Sequence, residues 1–82
     1  MFDKLKQLNE IRAMQQAIKQ KRTEAEMQGV TVAMRGDFEI ESIRLNPDLD
    51  IKTQEKVLMR CINEAKEKMQ KILAKDLAGK FF

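Results

Sequence analysis

The chain has no histidine, tryptophan or tyrosine, one serine (Ser42), one cysteine (Cys61), one proline and three glycines. Without histidine, hydrolytic machinery of the Ser-His-Asp or Cys-His kind has no base. A zinc site is left with Cys61 as its only soft ligand. One cysteine offers no disulfide framework and suits a reducing compartment. Apolar runs are a few residues long, far below the roughly 20 that span a bilayer. Asp3, Lys4 and Lys6 leave no apolar signal core at the start. These absences predict a cytoplasmic protein that is not an enzyme, with no cofactor, metal, small-molecule substrate or membrane span.

What is present is balanced: of 82 residues, 43% are hydrophobic and 35% charged. That is a globular mixture and not a disordered one. The length predicts a single domain over 1–82. A chain this short buries only about 60% of its unfolded surface, so a partner subunit is expected.

The hydrophobic period divides the chain into three. Leu5, Leu8, Ile11, Met14, Ile18 and Ala25 recur every three or four positions, which predicts an amphipathic helix over about 3–27 with Asp3 as its cap. Gly29 ends it and the period drops to two. Val30, Val32 and Met34 read as one strand, Gly36-Asp37 as a turn using glycine's tolerance of positive φ, and Phe38 to Leu45 as the return strand. The hairpin spans about 30–45. Its apolar parity shifts between Ile40 and Ile43, predicting a bulge near Glu41-Ser42 or a register in which both faces are partly covered. After Asn46-Pro47 the helical period returns over about 53–78. Thr53 is the expected cap, Val57, Leu58, Cys61, Ile62, Ala65, Met69, Ile72, Leu73 and Leu77 the stripe, and Gly79 the stop.

The outline is α+β: long helix, antiparallel hairpin, long helix. A lone two-stranded hairpin is marginal in water, and two helices with one stripe each cannot cover it. The economical solution is an intertwined homodimer with a joint sheet and protruding helical arms.

Charge follows the same division. Residues 1–23 carry a net +4, residues 24–50 a net −5 and residues 51–82 a net +4. Lys4, Arg12, Lys19 and Arg22 fall in one quadrant of the first helix. Lys56, Arg60 and Lys71 sit opposite the apolar stripe of the second, with Lys75 at its edge. These eight residues are the candidate DNA-binding set, a surface that tracks phosphates. A solvated face would carry many of the same residues, since Arg60–Glu64, Glu64–Lys68 and Glu67–Lys71 are all i,i+4 pairs. Aromatic interleaving for single-strand stacking is lacking. Glu39 and Glu41 read as an exposed acidic strand face. Cys61, inside the stripe, reads as a buried and inert thiol.

The run Val30-Thr31-Val32-Ala33-Met34-Arg35-Gly36-Asp37, continued by Ile40, Ser42-Ile43-Arg44-Leu45-Asn46-Pro47 and Leu49, resembles the hairpin of the YbaB/EbfC family of bacterial nucleoid-associated proteins. Glu55, Leu58, Asn63-Glu64-Ala65 and Lys68 resemble that family's second helix, and Met14-Gln15-Gln16 its first. The resemblance implies a tweezer-shaped α+β homodimer that binds double-stranded DNA and organises the nucleoid, with an influence on transcription. The chain departs from the family in three places. Only Gln28-Gly29 remains of a Gly-rich strand segment before Val30, which predicts a smaller sheet. Phe38 stands where a glycine is common, and the family's flexible Gly/Pro tail is mostly absent. The competing function is a prefoldin-like chaperone or adaptor, which shares the helix, hairpin, helix order and binds protein clients.

Overall fold

A computed structural model describes the backbone of residues 2–81 and the side chains of residues 4–76. The elements in chain order are α1 (Phe2–Gln20), β1 (Arg22–Met27), β2 (Val30–Arg35), β3 (Ile40–Arg44) and α2 (Ile51–Phe81). The three strands form one antiparallel sheet in the order β1-β2-β3. The α+β class and the helix, sheet, helix order are as the sequence predicts.

The first helix, however, ends at Gln20 and not at Met27, and the sheet gains a strand that the reduced Gly-rich segment argued against. The reason is visible in the residues. Beyond Ile18 the helical stripe reaches Lys21 and Arg22, both charged, and resumes only at Ala25. Ala25 fits a period of two equally well, between Glu24 and Glu26. The Gln28-Gly29 turn decides the matter. Both residues have positive φ, 50° and 84°, the geometry that matches the twist of a two-residue hairpin. Every residue of β1 then pairs with β2, from Arg22 opposite Arg35 to Met27 opposite Val30.

The core lies between one face of the sheet and α2. Ala25, Val30, Val32 and Met34 point from the strands, and Val57, Cys61, Ala65 and Met69 come from successive turns of the helix. All eight are buried. The small side chains Ala25, Cys61 and Ala65 bring helix and sheet close enough for the Cys61 thiol to lie 3.3 Å from the Ala25 carbonyl oxygen and 3.2 Å from that of Val30. Burial pushes the Cys61 thiol above its ordinary pKa, with Glu64 and Glu26 adding to the rise against the backbone hydrogen bond from Met27 and the charge of Lys68. Leu77 lies outside the described side chains.

Two further expectations are corrected at the ends of α2. It begins at Ile51, not Thr53: the Asp50 carboxylate accepts the Thr53 backbone N–H at 3.4 Å and so takes the capping role. Gly79 does not stop the helix, which continues through it to Phe81. The cap is braced by Asn46. Its side-chain amide donates to the Gln28 carbonyl at 2.8 Å, and its backbone N–H donates to Gln54 Oε1 at 2.8 Å.

Of the two readings of the parity shift, the structure has the bulge. Val32 faces Ile43 and Ala33 faces Ser42, but Met34 faces Ile40, leaving Glu41 as the extra residue. Ile40 and Ile43 are thereby kept on one side. The β2–β3 turn differs from its sequence reading. Phe38, not Gly36, has positive φ (64°), following a turn in which its N–H donates to the Arg35 carbonyl at 2.9 Å. Glycine at 36 serves close approach instead: a Cβ there would lie 1.8 Å from the Ile18 carbonyl oxygen of α1.

Candidate nucleic-acid interface

A surface that holds phosphates needs cations that are exposed and not already neutralised by carboxylates. The fold separates the basic residues on this criterion. Lys21 is bridged to Asp76 at 2.7 Å, Arg22 to Glu41 at 2.9 Å, Arg35 to Asp37 at 3.0 Å and to Glu39, and Lys68 to Glu64 at 3.7 Å. Among the described residues, Lys4, Arg12, Lys19, Lys56, Arg60, Lys71 and Lys75 make no ion pair, and all seven are exposed. Of the three i,i+4 pairs that a merely solvated α2 would form, only Glu64–Lys68 closes.

Arg22 is the correction. It lies on β1, not on a helix with Lys4, Arg12 and Lys19. Its guanidinium donates to the Lys19 and Gln20 carbonyls at 3.2 and 3.4 Å, capping the end of α1, while pairing with Glu41. The other three remain on α1.

On α2 the buried stripe of Val57, Cys61, Ala65 and Met69 fixes which side faces the sheet, and Lys56 and Arg60 look away from it. From Lys56 to Lys75 the helix rises about 28 Å. Lys52, exposed one turn before Lys56, extends the same row. The i,i+4 spacing of Lys52, Lys56 and Arg60 was readable in the sequence, but with Thr53 taken as the cap, Lys52 fell outside the helix.

The face of the sheet turned away from α2 is different. Glu24, Glu26, Thr31, Ser42 and Arg44, with Lys68 reaching round the edge, line an open groove of about 540 Å³. Its charges are mixed and offer no concerted attraction for an anion. At the β2–β3 turn the Asp37 carboxyl is held below its ordinary value. Desolvation pushes the pKa up there, but the Glu39 N–H and the Arg35 guanidinium outweigh it. Among the described residues no cluster of three metal-binding side chains occurs and no helix is long and apolar enough to cross a membrane.

The model of the YbaB/EbfC DNA-binding family matches residues 1–80. The chain belongs to the YbaB/EbfC family. No curated protein and no solved structure matches it. Seven of the eight predicted cations thus lie exposed on α1 and α2 without an ion pair among the described residues, while Arg44, also exposed, lies on the mixed-charge sheet face. Phe38, where the YbaB/EbfC hairpin commonly has glycine, occupies the left-handed region that glycine favours.

Proposed function

We propose that this protein binds double-stranded DNA as a homodimer, through the phosphate backbone, and organises the nucleoid in the cytoplasm. It acts by binding and not by catalysis, with transcription influenced through the DNA it covers. The observation that carries the reading is the row of exposed, unpaired cations on α2, Lys56, Arg60, Lys71 and Lys75, accompanied by Lys4, Arg12 and Lys19 on α1. Backbone contacts of this kind position a protein on a duplex without reading its bases.

The homodimer is supported by apolar surface that one chain leaves open. On α1, Leu5, Leu8 and Ile11 are 60%, 52% and 51% exposed. On β3, Ile40 and Ile43 are 42% and 44% exposed, and Leu45 just after it is 50% exposed, because α2 lies over β1 and β2 and not over β3. β3 is also an edge strand with unpaired backbone groups. A second copy can satisfy both needs at once, since it offers the same edge and the same stripe.

Titration of duplex binding with salt tests the function. The logarithm of the binding constant is expected to fall by about 0.9 per phosphate neutralised for each decade of salt. Arg60→Glu and Lys71→Glu should each weaken binding evenly across unrelated DNA sequences, with the dimer intact. No binding by the wild-type dimer at about 50 mM salt, where screening is weak, would overturn the proposal. The uncovered stripe of α1 is the one observation that favours a protein client instead, and capture of extended apolar peptides by the dimer would then be the result to seek.

A further inference from the structure

We infer that Gly36, with the Lys21–Asp76 ion pair, sets the direction in which α1 leaves the body of the protein, and thereby the separation of the two basic helices. The second half of this inference rests on the DNA-binding reading; the first does not.

The connection between α1 and β1 is a single residue, Lys21, so it holds no slack. Its backbone is tied on both sides. The Lys21 N–H donates to the Ile18 carbonyl at 3.0 Å, and the Gly36 N–H donates to the Lys21 carbonyl at 2.9 Å. The β2–β3 turn is thus bonded to the end of α1, and Gly36 is buried beneath it. A methyl group at position 36 would sit 1.8 Å from the Ile18 carbonyl oxygen and 2.8 Å from its carbon, where side-chain carbons do not come closer than 3.0 Å. Both atoms are backbone and cannot rotate away. The φ of Gly36 is not in the left-handed region, so the requirement for glycine here is one of space alone.

On the other side, the Lys21 ammonium reaches Asp76 on α2 at 2.7 Å. One residue therefore joins the root of α1 to both the turn and α2. α1 has little else to hold it: its principal contact with the body is at the end of β2. The rest of the helix stands clear, and a small tilt at Ile18 is carried outward along about 20 Å to Leu5.

The test is an intramolecular distance. Nitroxide labels at Gln7→Cys on α1 and Gln70→Cys on α2, both exposed positions, are measured by pulsed electron resonance with unlabelled protein in excess. Cys61 is buried and does not compete for label. The expected result is a narrow distribution in the wild-type background and a shift of several ångströms in Gly36→Ala, with far-ultraviolet circular dichroism unchanged. Lys21→Met, which removes the ammonium and keeps every backbone bond, should broaden the distribution and is the decisive variant if Gly36→Ala does not fold. A broad distribution without either change, or distances unaltered in folded variants, would overturn the inference.

Binding to a 30-base-pair duplex is then compared. Gly36→Ala should bind more weakly, its salt slope shallower by about 0.9 for each phosphate moved out of reach. An unchanged affinity and slope with a shifted distance would overturn the link to DNA and leave the joint standing. If the wild type does not bind the duplex, the DNA reading fails and the distance measurement still decides the role of Gly36.

Discussion

The two helices are written in the same code and end in different circumstances. Each carries an apolar stripe at helical spacing among lysines, glutamines and glutamates. On α2 the stripe is consumed, with Val57, Cys61, Ala65 and Met69 all buried against the sheet. On α1 the equivalent residues Leu5, Leu8 and Ile11 face outward. An amphipathic pattern announces that a face must be covered, and it is silent on which molecule covers it. The difference between α1 and α2 is therefore one between a stripe covered within the chain and a stripe the chain leaves open.

That comparison can be broken most severely at the α2–sheet contact. Val32→Glu places a carboxylate in a fully buried position with no partner, and loss of the folded state is expected, seen as loss of circular dichroism and of cooperative melting. Met69→Ala, a truncation at the same contact, should cost about 2–5 kcal/mol in denaturant unfolding. The corresponding change on α1 should act by another route. Leu8→Glu is expected to leave strand and helix content in place and to halve the mass seen by light scattering. The melting temperature of the variant should lose the dependence on protein concentration expected of the proposed wild-type homodimer. Equal stability loss for Leu8→Glu at every concentration would contradict the distinction.

A gentler probe is the thiol of Cys61. Buried and with its pKa raised by desolvation, it should react with a thiol reagent far more slowly than a free cysteine, and the rate should rise with denaturant as the α2–sheet contact opens.

The smallest effect concerns the α2 cap. Hydrogen bonds from Thr53, side chain and backbone, hold the Asp50 carboxyl below its ordinary value. A carboxyl with a depressed folded pKa stabilises the protein above its unfolded value near 3.8. That contribution disappears as the pH falls through the lower folded value. The melting-temperature advantage of the wild type over Asp50→Asn should accordingly shrink between about pH 5 and pH 3, and a gap independent of pH would exclude the charge as its cause.

Much of this was legible in the residues. The alternation of Val30, Val32 and Met34, the break in parity that becomes the Glu41 bulge, and the four-residue rhythm of Val57, Cys61, Ala65 and Met69 are local signals, and the structure follows them. What was not legible depends on residues far apart in sequence. Ala25 satisfies either period until its pairing with Val32 is known. Arg22 looks like one more helical cation until Glu41 is found beside it. Gly36 resembles an ordinary turn glycine until the Ile18 carbonyl is seen against it. Thr53 and Asp50 are both capping residues, and only the course of the chain after Asn46 chooses between them.

The sheet's two borders are guarded unequally, and this bears on self-aggregation. At β1 the Lys68 ammonium donates to the outward Glu24 carbonyl at 3.1 Å, occupying a group that a foreign strand would use. At β3 the guard is the bulge: with Glu41 displaced from the ladder, the border is irregular, and a flat strand from an unrelated chain cannot add along its full length. A border that is apolar yet irregular discriminates between strands, refusing the many flat ones while remaining open to one with a matching profile.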